Sequence, residues 1–248
     1  MTRPHQTSQS AADMIRNTAL AFVAAAAFAA PALPAFAQNA PDPGAPNIAG
    51  VWMLEGDHST VKTLDGKLPP MNKEAAAKYK AAVAARKAGK PTDPLNQCLP
   101  HGVPRLLFSA YPVEVLQEKD QVSFVHEVNH TPRLVYLGAQ LPPPEERDQN
   151  WFGFSAGRWD GDTLVVDTAG FNDITTIDRA GVPHSTDMVV NERIRLIDNG
   201  QRLEDVITVT DPKTFTKPWS TRITFVKKPG YRLQQYVCTD KNPEAAAP

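Results

Sequence analysis

Two dipeptides that favour tight β-turns, Asp160-Gly161 and Asn199-Gly200, each separate two runs of alternating apolar and polar residues. The turn of a two-residue hairpin requires positive φ angles, which Asn, Asp and Gly adopt at low cost, so both dipeptides predict β-hairpins. Lys119-Asp120 and Pro229-Gly230 stand between further runs of the same kind. Several hairpins in succession, with no helix between them, predict an antiparallel meander, which at this length closes into a barrel or folds into a sandwich.

The predicted strands cover most of the chain after residue 112. The first is expected earlier, at 50–54, and the others at 113–118, 121–128, 133–137, 152–159, 163–168, 187–197, 202–210, 219–226 and 231–237. An alanine-rich segment, 72–87, predicts a peripheral helix with Asn72 as its N-cap and Gly89 just beyond its end. Two long connections, 138–150 and 169–185, are expected to cover an open mouth of the barrel, where ligand contacts collect.

The first 37 residues have the pattern of a Sec-type signal peptide. Arg3 and Arg16 lie in a polar segment, an apolar run follows from residue 18 to about residue 30, and Ala35-Phe36-Ala37 has the form of a cleavage site. A transmembrane anchor is the alternative, but the run is shorter than the ~20 residues that span a bilayer. We therefore predict a signal peptide at 1–37, a flexible lead-in at 38–48, a single β-barrel domain at 49–241 and a flexible tail at 242–248. The expected location is the periplasm or the extracellular space.

Charge and cysteine content narrow the expected partners. The chain carries 26 basic and 27 acidic residues without a basic stripe, so we expect no nucleic acid as partner. After residue 37 no apolar run is long enough for membrane insertion. Cys98 and Cys238 are expected to form a disulfide bond in an oxidising compartment, the alternative being two separate buried thiols. The residues give no indication of the oligomeric state.

The hairpin registers turn three titratable side chains toward the apolar face of the sheet. A two-residue loop at 199–200 places Glu192 and Asp205 on that face, and the turn at 119–120 does the same for His126. Burying a lone charge costs several kcal/mol, so these groups indicate either a pocket or a structural polar network. Asp205 lies close to the start of its strand, and reaching solvent at the rim is the alternative for it.

A histidine near a carboxylate in a dry cavity can act as a proton-transfer pair, because each group shifts the pKa of the other. His126 and Glu192 are therefore candidate catalytic residues, with His184 or Arg133 stabilising developing charge. The structural alternative is a histidine bonded to a backbone carbonyl and a carboxylate paired with a basic group, for which the candidates are Arg133, Arg222, Arg232 and His126. Asp205 and aromatic residues such as Trp151 and Trp219 are candidates for the lining of a ligand cavity.

Motifs for metal or cofactor binding are not found in the sequence. The six histidines do not form an H-E-x-x-H motif, and the two cysteines are not spaced as C-x-x-C. A glycine-rich phosphate loop is absent as well. We therefore predict no metal site and no cofactor.

Two resemblances bear on the fold. Gly50-Val51-Trp52 looks like the G-x-W opening of lipocalin-type barrels, in which the Trp closes the base of the barrel and a distant basic residue covers it. The helix comes before most strands here, whereas in lipocalins it comes after them. The predicted fold is thus mainly β, a lipocalin-like antiparallel barrel with one or two peripheral helices.

The second resemblance spans most of the chain after residue 37. The run from Trp151 to Thr168 resembles an exported bacterial family with a "GxSxGxWEGDTLVVDT" core, with Asp160 where that family usually has Glu. Later features of the family also match, at 184–185, 192–193, 211–212, 218–219 and 236–238. This resemblance implies an exported barrel and no particular reaction, and it adds Arg193 and Tyr236 to the candidate binding residues.

Three interpretations of the function remain open. The first is a cofactor-independent acid–base enzyme, such as a lyase, isomerase or hydrolase, that acts on a small organic or sugar-like substrate held inside the barrel. The second is a ligand carrier with the same cavity and no turnover. The third is a structural or envelope-interaction protein whose barrel is solid.

Overall fold

The computed structural model describes residues 42–90 and 93–241, and nine strands are found within these ranges. The predicted signal peptide and tail lie outside the described residues. The strands are β1 (Gly50–Leu54), β2 (Val113–Gln117), β3 (Gln121–His126), β4 (Pro132–Leu137), β5 (Phe154–Asp160), β6 (Thr163–Ala169), β7 (Val189–Ile197), β8 (Arg202–Thr210) and β9 (Trp219–Lys227). They form a closed barrel in sequence order, and β9 pairs with β1 to complete the ring. The predicted barrel is confirmed.

The two registers deduced from the hairpin turns are confirmed. In the β7–β8 pair, Glu192 lies opposite Ile207 and Ile194 opposite Asp205. In the β2–β3 pair, Val113 lies opposite His126. Asn199 and Gly200 both have positive φ, at 54° and 79°, as this tight connection requires.

The meander departs from a purely antiparallel one at a single place among the described strands, since β4 and β5 pair in parallel. Two parallel neighbours need a connection that returns the chain to the starting end of the sheet, which takes about a dozen residues. The connection 138–150 has this role, and its length therefore reflects topology. The other long connection, 169–185, follows β6 and leads to β7 at the end of the barrel where β2 begins.

The predicted strand at 231–237 is wrong. The edge of β9 that it would occupy is already taken by β1, where Met53 pairs with Val226. With both edges of β9 satisfied, the chain after Gly230 has no strand partner and continues without regular structure to the short helix α2 (Cys238–Lys241). Pro229-Gly230 therefore ends a strand but does not form a hairpin.

The helix α1 (Lys73–Lys87) forms as predicted, and Asn72 caps it by accepting a hydrogen bond from the Ala75 N–H at 2.9 Å. Only Ala75 of this helix is fully buried, so α1 covers the barrel from outside. Short 3₁₀ helices occupy Pro94–Gln97, Arg105–Phe108, Val128–His130, Pro144–Glu146 and Asp198–Gly200. No helix in the described part of the chain is both long and apolar enough to cross a membrane.

Trp52 lies fully buried at one end of the barrel. Its indole N–H donates to the Ile48 carbonyl at 2.9 Å, and Lys227 Nζ lies 5.2 Å from the ring centroid. A basic side chain thus covers the tryptophan, which is the arrangement that the G-x-W resemblance implies. Ile48 is also completely buried, so the barrel core begins within the segment predicted as a flexible lead-in.

The predicted disulfide bond between Cys98 and Cys238 is confirmed, with 5.6 Å between the two Cα atoms. It closes a loop of 140 residues and ties the chain after the barrel to the segment between α1 and β2. Cys238 Sγ also contacts the Leu95 carbonyl at 3.6 Å. The bond therefore fixes the 3₁₀ helix Pro94–Gln97 against the C-terminal segment.

Candidate functional site

Arg133 and Glu192 form an ion pair inside the barrel. Arg133 Nη1 donates to Glu192 Oε1 at 2.8 Å and Nη2 donates to Oε2 at 2.5 Å. The side chains are 1% and 0% exposed, respectively. Ser155 and Thr168, on β5 and β6, accept the remaining hydrogen bonds of the guanidinium at 2.9–3.3 Å. Glu192 is therefore paired with Arg133, one of the partners named from the sequence, and not with His126.

His126 and Asp205 lie beside this pair and are both buried, which excludes the solvent-exposed rim position considered for Asp205. His126 Nε2 and Asp205 Oδ1 have no hydrogen-bond partner among the described residues. Burial, together with the Arg133 charge, lowers the pKa of His126 to about 3. Burial and the neighbouring Glu192 charge raise the pKa of Asp205 well above its ordinary value. His126 is thus an uncharged imidazole at neutral pH, and burial favours the protonated form of Asp205.

The interior space at these residues is small. A cavity of about 20 Å³ is bounded by His126, Glu192 and Asp205 together with apolar side chains such as Leu107. Such a volume accommodates one water molecule, and the two unpartnered polar atoms give that water hydrogen-bond partners. An organic molecule does not fit in this interior cavity, which lies among apolar side chains of the core.

His184, the third catalytic candidate, lies in the connection after β6. Its Nε2 is 2.7 Å from Thr175 Oγ1, its Nδ1 is 3.1 Å from the Ser185 carbonyl oxygen, and only 7% of the residue is exposed. Burial lowers the pKa of His184. The ring therefore supports the connection from within and does not border either cavity described here.

The structure places the remaining candidates apart from one another. Arg193 lies on the outer wall and pairs with Asp160 at 3.2 Å, as expected from its position one residue after the inward Glu192. Trp219 is buried against Phe215 with a ring separation of 5.5 Å, and Trp151 is half-buried, with its carbonyl accepting from the Val103 N–H. Tyr236 contacts Tyr111 edge-on at 5.0 Å. The predicted residues thus do not form one site.

A larger space lies at the end of the barrel where β1 ends and β2 begins, opposite the tight turns. It is an open cleft of about 540 Å³, within the usual size range of ligand pockets. Its walls come from α1, the segments 54–59 and 93–96, residues 101–111 and the connection 176–181. We call this space the end cleft.

The 3₁₀ helix Arg105–Phe108 separates the end cleft from the interior cavity. Phe108 faces the cleft, whereas Leu107, one residue earlier, faces the interior. Both are buried, with 5% of each exposed. This short helix therefore closes the barrel at the cleft end, and the predicted mouth is a sealed floor.

The floor of the end cleft carries buried polar groups. Arg105 Nη2 donates to Asp93 Oδ2 at 3.0 Å, with side chains 7% and 11% exposed. Arg105 Nε and His101 Nδ1 are buried and have no hydrogen-bond partner among the described residues. Burial, reinforced by the Arg105 charge, lowers the pKa of His101 to about 3, so this imidazole is uncharged at neutral pH.

The rim of the end cleft carries further charges. Arg86, from the last turn of α1, and Arg179 are exposed, and neither guanidinium has an ion-pair or hydrogen-bond partner in the described ranges. Asp57 is the acidic group of the rim. The Ser59 backbone N–H, which donates to it at 2.8 Å, lowers its pKa, and the charges of His58 and Arg179 act in the same direction.

The cleft wall formed by 176–181 is fixed by one buried carboxylate. Asp178 accepts from the backbone N–H groups of Val61, Gly181 and Val182 at 2.8–3.0 Å. Gly181 has a φ of +99°, and a Cβ there would lie 2.6 Å from the Ala82 Cβ of α1. Only glycine allows the connection to approach the helix this closely, and the wall is therefore built with little freedom.

Sequence reasoning missed the end cleft. Its charged residues come from segments without periodic pattern, and nothing in their spacing indicates that they meet. One signal was present: Arg105 stands in the apolar run Val103–Phe108, and an arginine in such a run needs a partner or a polar site. Among the described residues, no group of three or more His, Cys, Asp or Glu side chains is arranged to hold a metal ion.

Comparison with solved structures gives distant likenesses. No family model matches the chain, and no curated protein does. A solved structure described as "REP1-NXSQ fatty acid transporter" has 14% sequence identity and a TM-score of 0.33, over 73% of this chain and 96% of that chain. At this level of likeness, the ligand in that description is a property of that protein alone.

Proposed function

We propose that this protein is an exported β-barrel that binds a small organic molecule in the end cleft. The observation that carries the proposal is the cleft itself: about 540 Å³ of open space above a buried floor with two unpartnered polar atoms. Ligand sites typically combine such a volume with apolar walls and a few placed polar groups. Buried polar atoms without partners are rare in folded proteins, and a bound ligand or water would satisfy them.

The rigidity of the cleft walls supports this proposal. The disulfide bond holds the segment that contributes Leu95, and Asp178 holds the segment that contributes Arg179. A cleft whose walls are fixed before binding loses less conformational entropy when a ligand enters. A disulfide bond is also typical of oxidising compartments, which supports the proposed export and membership of the exported family.

Binding without turnover is the function that the geometry supports best. His126, Glu192 and His184 are buried away from the end cleft, and a substrate would reach them only if the barrel opened. Acid–base catalysis by these residues stays a prediction. The solid-barrel interpretation agrees with the packed lumen, but it leaves the end cleft without a role.

Native mass spectrometry of protein purified from its own host tests this function. We expect a small molecule to be retained and to be displaced when Ala110→Trp fills the cleft, because Ala110 is an exposed residue of its wall. Leu116→Trp is the matched control, since Leu116 is 47% exposed on the outside of β2. Equal retention by both variants would place the ligand elsewhere, and protein that neither retains nor binds any small molecule would refute the proposal.

A further inference from the structure

We infer that the ligand of the end cleft is an organic acid: a small molecule with an anionic oxygen group and an apolar body. This inference rests on the proposed function and specifies the chemistry of the same site. Four observations support it: the charge balance of the cleft, the unpartnered guanidinium nitrogen in its floor, its uncharged histidine, and its apolar wall.

The cationic groups of the end cleft exceed the anionic ones that could neutralise them. Asp93 is already paired with Arg105 in the floor at 3.0 Å. Asp178, behind the wall, is occupied by three backbone N–H donors. The open part of the cleft then has the negative charge of Asp57 and the positive charges of Arg86 and Arg179. The positive charges are in excess, so this part of the cleft attracts anions.

Arg105 imposes a more specific requirement. A guanidinium stays protonated at all physiological pH values and offers only donors, so its buried Nε–H needs an oxygen or another acceptor. Its Nη2 is taken by Asp93, and no described residue supplies an acceptor for Nε. A carboxylate oxygen that enters the cleft satisfies this requirement, because charge-assisted hydrogen bonds to guanidinium are among the strongest in proteins.

His101 contributes by remaining uncharged. Because its pKa is held at about 3, it brings no proton-dependent charge to the floor near pH 7. The positive charge there stays on Arg105. His101 therefore adds no pH dependence to the recognition of an anion between about pH 6 and 8, a range in which carboxylic acids are fully ionised.

An apolar wall faces the arginines. Leu54, Leu95, Phe108 and Tyr111 line the cleft, and the Tyr111 ring is held by its edge-on contact with Tyr236 at 5.0 Å. A ligand with charge alone, such as inorganic phosphate, leaves this surface in contact with water. A molecule that joins an anionic head to an apolar body buries this surface, and the removal of apolar surface from water favours binding.

The experiment compares matched acids and amides. Phenylacetate and octanoate are titrated against phenylacetamide and octanamide by isothermal calorimetry at low ionic strength, with citrate as an anion without an apolar body. We expect both acids to bind at least tenfold more tightly than their amides and more tightly than citrate. Their affinity should fall as salt is raised, because exposed charges are screened.

Variants of the rim arginines test whether the acids bind in the end cleft. Arg179→Gln and Arg86→Gln should each weaken acid binding about fivefold, which is within the range for the loss of an exposed charge pair. Both variants should leave amide binding unchanged. Arg158→Gln is the control, since Arg158 is 61% exposed on the outer wall and pairs with Asp167 at 3.2 Å. Its acid affinity should equal that of the wild type.

The outcomes separate this inference from the proposed function. Equal affinity for acids and amides, or an uncharged molecule retained from the host, overturns the inference while small-molecule binding stands. An acid retained from the host, with its loss in Arg179→Gln, supports both. If nothing is retained and no probe binds, the proposed function fails and this inference fails with it.

Discussion

Arg133 and Glu192 form an ion pair inside the barrel, and each side chain is at most 1% exposed. They lie on β4 and β7, which are not neighbouring strands, so the pair joins distant parts of the ring. Hydroxyl groups from the two strands between them, Ser155 and Thr168, satisfy further guanidinium donors. This cluster links four consecutive strands of the barrel.

Removal of one member of the ion pair should destabilise the protein strongly. Glu192→Gln or Arg133→Met leaves the other charge buried, and the expected loss is about 3–5 kcal/mol in the free energy of unfolding, measured with urea. The double variant Arg133→Met/Glu192→Met should recover much of this loss. Arg158→Gln breaks an exposed pair and should change stability by less than about 1 kcal/mol.

Recovery in the double variant would show that the pair is structural. A single variant that keeps full stability but loses ligand binding would instead show that the buried pair acts in function.

His126 and Asp205 should compensate each other in the pH dependence of stability. Folding lowers the pKa of His126 to about 3 and raises the pKa of Asp205. The folded state therefore favours a neutral His126 and a protonated Asp205, whereas the unfolded state favours the opposite forms between pH 3.8 and 6.5. His126 alone makes stability fall as pH decreases below 6.5, since unfolding then takes up a proton. Asp205 alone makes stability fall as pH rises above 3.8, since unfolding then releases one.

The single variants should therefore have opposite slopes relative to the wild type over pH 4–6. Asp205→Asn removes the group that releases a proton on unfolding. The free energy of unfolding of this variant should therefore rise more steeply with pH than that of the wild type, by up to about 1.4 kcal/mol per pH unit. His126→Leu should change the slope by a similar amount in the other direction. Leu116→Gln, at an exposed position that carries no titratable group, is the control and should have the slope of the wild type. Parallel curves for all four proteins would contradict the assigned protonation states.

Asp178→Asn should loosen the wall of the end cleft. The amide presents one N–H₂ group where the carboxylate accepts hydrogen bonds, so at least one of three backbone donors loses its partner, at a cost of about 1–3 kcal/mol. The Asn oxygen can take the position that accepts from Gly181 and Val182, which leaves the Val61 N–H without its acceptor. Amide hydrogen exchange at Val61 should therefore become faster, and ligand affinity should fall. Asp173→Asn, an exposed neighbour in the same connection, should leave exchange unchanged. Unaltered protection in Asp178→Asn would show that the wall is held by other contacts.

Loss of the disulfide bond should affect both stability and binding. Cys98→Ala/Cys238→Ala is expected to reduce the free energy of unfolding by about 2–5 kcal/mol, because the unfolded chain gains the entropy of a loop of 140 residues. Ligand affinity should also fall, since the bond holds the segment that contributes Leu95. A thiol assay on the unfolded, unreduced wild type should detect no free thiol. Detection of two thiols would contradict the pairing.

The features of the fold that depend on local sequence pattern were predicted correctly. The turns at 119–120 and 199–200 set the registers of their hairpins, and these registers correctly placed His126, Glu192 and Asp205 inside. Prediction failed where a partner distant in sequence decides the outcome. The strand expected at 231–237 is absent because β1 occupies the edge it needed.

The candidate site was predicted less well, for a related reason. Strand periodicity tells which face a residue takes, but not whether the enclosed space is hollow. Here Phe124, Ile223 and other large side chains fill it. The end cleft combines Asp57, Arg105 and Arg179 from three irregular segments, and their proximity arises only when the whole fold forms.

The pairing of β1 with β9 also determines when this protein can fold. The ring has no free edge once it is complete, but a chain still lacking residues 219–227 exposes the unpaired backbone of β1 and of β8. Cys238 arrives later still, so the covalent link to Cys98 cannot precede the last strand. Closure of the barrel is therefore expected only after residues 219–238 have become available, and before then the open strands are the surfaces that chaperones would protect from aggregation.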